Sequence, residues 1–293
     1  MRFPVLSLIL RFLDNRSNSL AYKSTRFTFG VITDGRDPKV LEKCILSILS
    51  QEAPNFEILV VGPTECLQEL CEGVRISITW VEFADVEKRG WITRKKNLIT
   101  ELATGEIIVF MHDYFSLEPG WYKGISDDSV KFQKFDVGTN RIVDIDGHRF
   151  ADWTLHPLNY SPIDLFTFPN LVLLPYRVSL AKNHQYIPGG FFIARRDFMK
   201  TFPLDEQRMW GDGEDVEWSF RWRTTKARLV FFPNAVVTLL KQGKKTKFKQ
   251  IPFWRLVCVY FLCLPGIRFV AQAIHFDVRA LRRKLGLSDS IEW

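Results

Sequence analysis

The sequence is poor in the features that define disulfide-rich, zinc-binding and membrane-spanning proteins. Its 293 residues include five cysteines, an odd number without the spacing of a metal site, which favours a reducing compartment. It also lacks an internal repeat, a low-complexity linker and an uncharged run of the roughly twenty residues that a bilayer span needs. Because 46% of the residues are hydrophobic, the chain can bury a sizeable core. We therefore expect one large α/β domain with an appendage.

Positive charge is confined to the C-terminal part of the chain. Residues 241–293 contain eleven Lys and Arg against three acids, a net charge of +8, whereas the whole chain carries +7 and residues 1–240 therefore carry −1. The basic residues bracket an apolar stretch at 251–270, where Arg255 and Arg268 leave twelve uncharged residues between them. This pattern predicts amphipathic helices that lie in a membrane interface and face anionic headgroups. A buried core helix followed by a solvated basic tail is the alternative.

The two ends of the chain are expected to flank the main domain. Residues 1–25 begin with a short apolar run that Arg11 interrupts and that no small-residue cleavage site follows, so we predict a peripheral segment and not a signal peptide. Residues 26–240 would form the domain, and 241–293 the membrane-associating tail. Nucleic acid is not an expected partner, because the basic residues fall in no recognisable reading motif. The expected location is peripheral, on the cytoplasmic face of a membrane.

An acidic motif at residues 211–218 is the most informative stretch of the domain. It reads Gly-Asp-Gly-Glu-Asp-Val-Glu-Trp and follows Trp210. We predict a helix that begins near Val216, with Glu214 and Asp215 at or just before its first turn. Helix capping alone also explains acids at this position, because free backbone N–H groups and the helix dipole stabilise them.

A second polar motif follows a predicted buried strand. Residues 105–111 form a continuous apolar run, which is typical of a strand that is buried on both faces. His112, Asp113 and Tyr114 come directly after it. Open α/β sheets bind ligands just beyond the carboxyl ends of their strands, so this motif is a candidate site. The alternative is a plain strand exit in which Asp113 caps the next turn.

These motifs stand in a characteristic order along the chain. A predicted strand at 29–33, a helix at 40–51 and a strand at 56–62 precede the segment 93–97, the strand that leads to His112-Asp113, a Pro-Gly-Gly segment at 188–190, and Gly213-Glu214-Asp215. In this order the chain resembles a family 2-type glycosyltransferase of the GT-A fold over residues 26–240. The resemblance implies a Rossmann-like, mixed but mostly parallel sheet with flanking helices. It also implies an inverting transfer of a sugar from a nucleotide-sugar donor to a glycan or lipid-linked acceptor.

The resemblance assigns roles to residues at matching positions. Asp215 matches the catalytic base, and Glu214 is the second candidate for that role or a ligand of the acceptor. Residues expected at the donor nucleotide are Thr33, Asp34, Gly35, Arg36, Lys95, Asn97, His112 and Asp113. Residues expected at the acceptor are Trp153, Gly189, Gly190, Trp210 and Gly213.

Asp113 also matches the position at which such enzymes hold a divalent metal against the donor diphosphate, which implies Mn²⁺ or Mg²⁺ as a cofactor. The motif keeps one carboxylate, and Tyr114 cannot replace a hard oxygen anion. No histidine follows the predicted strand at 230–237, so Lys241, Lys244 or Lys245 is a candidate source of positive charge. Two alternatives stay open: a degenerate protein that binds a glycan or a partner without catalysis, and a nucleotidyltransferase built on a similar sheet.

Overall fold

The computed structural model describes residues 25–84, 90–155, 172–176, 185–223, 225–241 and 249–250. The predicted N-terminal segment and the membrane-associating tail lie almost entirely outside these residues, so both stay predictions. Among the residues that the structure describes, no helix is long and apolar enough to cross a membrane.

Strands form one large sheet and one small sheet. In chain order they are β1 (Phe27–Ile32), β2 (Phe56–Gly62), β3 (Thr79–Glu82), β4 (Ile107–His112), β5 (Phe115–Leu117), β6 (Val137–Asp144), β7 (Thr154–Leu155), β8 (Val172–Leu173), β9 (Gln185–Tyr186), β10 (Phe191–Arg195), β11 (Leu229–Leu239) and β12 (Lys249–Gln250).

Helices flank the large sheet, together with a short 3₁₀ segment at Thr64–Glu69. In chain order they are α1 (Pro38–Leu49), α2 (Glu72–Arg75), α3 (Ile92–Leu102), α4 (Trp121–Ser126), α5 (Ser129–Lys134), α6 (Arg196–Thr201) and α7 (Glu214–Arg223). Asp37 caps α1 by accepting a hydrogen bond from the Val40 backbone N–H, and Pro38 occupies the first turn, where its missing N–H costs nothing.

The large sheet has the strand order β3-β2-β1-β4-β10-β6-β11-β5, and the small sheet has the order β12-β8-β7-β9. In the large sheet, β10 and β5 run antiparallel to the other strands. The carboxyl ends of β1, β4, β6 and β11 therefore meet at one edge, which we call the C-terminal edge. β10 begins at the same edge, since it runs in the opposite direction.

Alternate residues of the central strands enter two hydrophobic clusters, one on each face of the sheet. In β4, Val109 and Met111 join the cluster beneath α1, whereas Ile108 and Phe110 join the cluster beneath α3, α6 and α7. Helix α3 packs closely on β1, because a Cβ at Gly30 would lie 2.5 Å from Cγ2 of Ile99. This alternation decides which face each site residue at the end of β4 lies on.

The structure confirms the predicted α/β architecture, with a mixed, mostly parallel sheet and flanking helices. The strands predicted at 29–33, 56–62, 105–111 and 230–237 and the helix predicted at 40–51 are present, and their ends agree with the prediction to within two residues. β6 is followed by a turn at Gly147, whose φ is 78°, and by a single bridge between Val143 and Arg149.

Candidate active site

Asp113 lies at the C-terminal edge and orders the loop after β1. Its Oδ2 accepts a hydrogen bond from the Thr33 hydroxyl at 2.7 Å, and the Thr33 Oγ1 accepts one from the Gly35 backbone N–H at 2.9 Å. Burial raises the pKa of Asp113, while the Thr33 hydrogen bond and the charge of Lys241 act in the opposite direction. The loop therefore depends on a buried carboxylate. Gly35 has a φ of 75°, a conformation that favours glycine.

The rest of that loop is open to solvent. Asp34 and Arg36 are exposed and form an ion pair at 3.2 Å. The structure thus brings four predicted donor-site residues, Thr33, Asp34, Gly35 and Arg36, to the end of β1 beside Asp113.

His112 precedes Asp113 and, by the alternation of β4, lies on the face that carries α3 and α7. Its side chain is buried, and its Nε2 has no hydrogen-bond partner. Burial, followed by the charges of Lys96, Lys95 and Lys241, holds the pKa of His112 well below its usual range. The imidazole is therefore neutral at physiological pH and has a ring nitrogen available for a ligand.

Helix α3 contributes two buried lysines to this face. Nζ of Lys95 donates a hydrogen bond to the Thr33 carbonyl oxygen at 3.0 Å, which ties the helix to the end of β1. Lys96 is fully buried, and its Nζ has no hydrogen-bond partner. Burial lowers the pKa of Lys96, and the charges of Glu214 and Asp215 oppose that shift. An ammonium group in such a position requires nearby negative charge.

The first turn of α7 supplies that negative charge. Oδ2 of Asp215 accepts a hydrogen bond from the Gly189 backbone N–H at 2.8 Å, and its Oδ1 accepts one from the Val216 N–H at 2.8 Å. Burial raises the pKa of Glu214, Lys96 opposes the shift, and Asp215 adds to it. The backbone thus fixes the orientation of the Asp215 carboxylate, while Glu214 is electrostatically linked to Lys96.

Gly189 is the point at which these three side chains meet. A Cβ at this position would lie 3.0 Å from Oε1 of Glu214, and 3.1 Å from both the Asp215 Cβ and the Lys96 Nζ. The absence of a side chain at residue 189 therefore allows Lys96 to approach both acids. A Cβ at Gly190 would similarly lie 3.1 Å from the Phe115 ring.

We expect Gly189→Ala to lower the free energy of unfolding by about 1–3 kcal/mol, the usual cost of overpacking a filled site. The matched control is Gly73→Ala, because a Cβ at Gly73 would meet no atom within 4 Å. Denaturant unfolding of both variants checks this prediction. Equal stability of the two variants would show that the three side chains do not pack tightly at residue 189.

Two predicted site residues have structural roles instead. Both ends of the Asn97 amide are used: it donates to the Leu204 carbonyl oxygen and to Oε1 of Glu206, and it accepts from the Leu204 N–H, each at 2.9 Å. Asn97 therefore holds the segment after α6, and the geometry does not support its predicted contact with a nucleotide. Trp153 is buried and packs against Phe231, with 5.2 Å between ring centroids. This burial does not support its predicted contact with an acceptor, which stays a prediction.

The other predicted acceptor residues lie near the start of α7. Trp210 is 71% exposed, a large fraction for an aromatic side chain. Its backbone N–H donates to the Gly90 carbonyl oxygen at 3.2 Å. Gly213 has a φ of 65°, so the turn into α7 uses a conformation that favours glycine. An exposed aromatic ring is a surface on which a sugar can stack.

Sequence reasoning did not assign roles to Lys96 and Tyr114, and it named Lys241 only as a source of charge. Tyr114 lies beside His112, with 5.2 Å between ring centroids. Nζ of Lys241 lies 5.0 Å from the centre of the Tyr114 ring, and the Leu240 N–H donates to the Tyr114 carbonyl oxygen at 2.7 Å. Sequence analysis placed Lys96 only within the segment 93–97, without a role of its own.

A separate group with the composition of a cation site lies at the end of β6. Asp144, Asp146 and His148 each place one ligand atom within 4.8 Å of the others. Oδ1 of Asp144 already accepts the backbone N–H groups of Asp146 and His148, at 3.0 and 2.8 Å. These are the hydrogen bonds of an Asp-initiated turn, and they account for the cluster without an ion.

Comparison with known proteins identifies the fold. No protein-family model matches the chain, and no curated protein matches its sequence. Among solved structures the chain is similar to one described as the crystal structure of GalNAc-T7 with UDP, GalNAc and Mn²⁺, with a TM-score of 0.55 and 15% sequence identity. The match covers 73% of this chain and 43% of that one, so the chain spans less than half the length of that protein. At this identity the likeness shows a GT-A-like glycosyltransferase fold, and membership of family 2 stays a prediction.

Proposed function

We propose that this chain is a glycosyltransferase, which transfers a sugar from a nucleotide-sugar donor to a glycan or lipid-linked acceptor with inversion at the anomeric carbon. One observation carries the proposal. In a GT-A-like fold, the loop ordered by Asp113 and the acidic pair Glu214 and Asp215 face the same edge of the sheet. A donor nucleotide and an attacking hydroxyl can therefore be held side by side.

The chemistry of inversion needs a base at this place. The acceptor hydroxyl attacks the anomeric carbon on the face opposite the leaving nucleotide, and it must lose its proton as the bond forms. We assign this role to Asp215, because two backbone N–H groups fix its carboxylate while its remaining lone pairs can accept the proton. Glu214 is the second candidate for the base, or it binds an acceptor hydroxyl.

Lys96 is then a positioning residue that favours the ionised form of Glu214. Its ammonium lowers the pKa of Glu214, so its removal must raise that pKa further. We expect Lys96→Met to move the part of the acid limb of kcat/KM that follows Glu214 to higher pH, because Glu214 becomes protonated earlier as the pH falls. Lys134→Ala, which removes an exposed lysine from α5, serves as the control. An unchanged acid limb in Lys96→Met would show that Lys96 does not influence the protonation of Glu214 during the reaction.

The proposal is tested by incubating the full chain with a panel of nucleotide sugars and measuring release of the nucleoside diphosphate, with and without acceptor glycans. Turnover supports a glycosyltransferase. Tight binding without turnover supports a degenerate binding protein, and consumption of a nucleoside triphosphate supports a nucleotidyltransferase. Either of the last two results would replace the proposal.

We also propose that the chain associates peripherally with a membrane through residues 241–293, on the strength of their net charge of +8 beside an apolar stretch. Deletion of residues 250–293 should abolish binding to anionic vesicles. Full-length binding should weaken with salt, since each basic residue near the surface contributes only about 1 kcal/mol and is screened. Vesicle co-sedimentation at low and high salt measures both effects. Indifference of the full chain to anionic vesicles at low salt contradicts the proposal.

A further inference from the structure

The diphosphate leaving group of a nucleotide sugar must be stabilised by positive charge. When the sugar departs, negative charge develops on the diphosphate, and a metal ion or cationic side chains must stabilise it. The solved structure to which this chain is similar was obtained with Mn²⁺. The residues at the end of β4 show whether such an ion suits this chain. The inference rests on the proposed function, because that function supplies the diphosphate.

The donor set at the end of β4 does not fit a hard divalent cation. Such ions select oxygen anions, with imidazole as an additional ligand. Asp113 lies on the face beneath α1 and already accepts the Thr33 hydroxyl through Oδ2. Tyr114 offers a phenol hydroxyl, which cannot replace a hard oxygen anion. Among the described residues, the motif at 112–114 therefore offers a metal ion one imidazole nitrogen of His112 and the one carboxylate oxygen of Asp113 that does not accept the Thr33 hydroxyl.

Cationic side chains occupy the same region. Nζ of Lys241 lies over the Tyr114 ring, at 5.0 Å from its centre. The charges of Lys241, Lys95 and Lys96 all act on His112. Lys96 is also fully buried on the His112 face of the sheet, and its Nζ has no hydrogen-bond partner. A buried ammonium group of this kind favours an anionic ligand over a divalent cation.

Two features make Lys241 and His112 suitable contacts for a phosphate. Lys241 is exposed, so a ligand can reach it. The residue before Lys241 is held against the sheet, because the Leu240 N–H donates a hydrogen bond to the Tyr114 carbonyl oxygen. His112 is 92% buried, and its Nε2 lacks a partner. As a neutral imidazole it can carry a proton on that nitrogen and donate it to a phosphate oxygen.

We propose that the diphosphate of the donor is bound by Lys241, seated on the Tyr114 ring, with His112 as a hydrogen-bond donor and the buried Lys95 and Lys96 adding positive charge, and that no divalent cation resides at this site. Lys241 takes the place of the metal in stabilising the leaving group. Donor binding is then independent of Mn²⁺ and Mg²⁺. It also depends on salt, because its main electrostatic contact is exposed.

The test measures binding and not turnover. The affinities of UDP, GDP and dTDP for the full chain are measured by calorimetry in EDTA and again in Mn²⁺. We expect one of these nucleotides to bind in EDTA with the affinity that it shows in Mn²⁺. Lys241→Ala should weaken this binding about tenfold or more, which corresponds to the loss of a hydrogen bond to a charged group. Lys134→Ala, which removes an exposed lysine that precedes β6 and hence lies at the opposite edge, should bind as the unmodified chain does.

The outcomes separate this inference from the proposed function. Binding that appears only with Mn²⁺, or that survives Lys241→Ala unchanged, overturns the lysine site and leaves a glycosyltransferase in place. Binding of none of the three nucleotides in either condition overturns both. Because Lys241 is exposed, its replacement should leave the fold intact, and the melting temperature of the variant verifies this.

Discussion

Replacement of Asp215 by Asn should lower the rate of sugar transfer by about a hundredfold or more, the usual range for the loss of a general base, while nucleotide binding is retained. The substitution keeps the shape of the side chain and one oxygen that can accept the Gly189 N–H, which Oδ2 accepts in the native protein at 2.8 Å. It removes the negative charge that takes the proton. Affinity should survive because the bound nucleotide is expected at the end of β4, among residues that the substitution leaves unchanged.

Two neighbouring carboxylates make this test specific. Glu214→Gln removes the charge of the other member of the acidic pair, and we expect a smaller loss of transfer. Asp212→Asn changes an acid of the same motif whose Oδ2 accepts the Met209 N–H at 2.9 Å, and it should have little effect. If Asp215→Asn retains near-normal transfer and Glu214→Gln does not, the roles of the two residues are reversed.

Removal of the Asp113 side chain should weaken nucleotide binding about tenfold or more, because the loop after β1 loses the charged acceptor of its Thr33 hydroxyl. That hydroxyl in turn holds the Gly35 N–H, so Asp113→Ala loosens the whole turn. Asp113→Asn keeps an oxygen for the Thr33 hydroxyl and should bind nucleotide more tightly than the alanine variant. Calorimetry with the nucleotide that binds the unmodified chain measures the difference.

The melting temperatures of the two Asp113 variants should not follow the order of their nucleotide affinities. Burial raises the pKa of Asp113, so the folded chain binds more protons than the unfolded chain as the pH falls towards that value. The ionised carboxylate therefore costs stability at neutral pH, and that cost disappears as the pH falls through the raised pKa. Asp113→Asn removes the charge and should melt no lower than the unmodified chain at pH 7.

The binding measurement decides the role of Asp113. If Asp113→Ala binds the nucleotide as tightly as the unmodified chain does, Asp113 has no role at the donor.

The sequence allowed the architecture to be predicted where local patterns determine it. The continuous apolar run at 105–111 required a strand buried on both faces, and β4 is such a strand. The acidic residues at 214 and 215 marked the first turn of α7. Local patterns could not predict the strand order. β10 lies between β4 and β6, and this arrangement depends on contacts between residues that are distant in the chain.

The sequence pointed to Asp113, Glu214 and Asp215, and the structure brings these residues to one edge of the sheet, while their roles stay predictions. They stood out as two acidic motifs, one after a buried strand and one before a helix, whereas the charges around them could not be read from the sequence. Lys96 did not stand out, since a lysine inside a helix is ordinarily exposed, and only the tertiary contact at Gly189 shows that it is buried beside two acids. Trp153 was expected at the acceptor, whereas in the structure it is buried and packs on Phe231.

We expect a nucleotide sugar to bind at the C-terminal edge, between the end of β4 and the start of α7. The decisive measurement is a crystal structure of the full chain with the nucleotide sugar that it binds or turns over. It should show the diphosphate within hydrogen-bond distance of Nζ of Lys241, the nucleotide beside the Asp113 loop, and the anomeric carbon facing the carboxylate of Asp215. A nucleotide sugar bound elsewhere on the chain, or one whose sugar points away from both Glu214 and Asp215, would contradict this expectation.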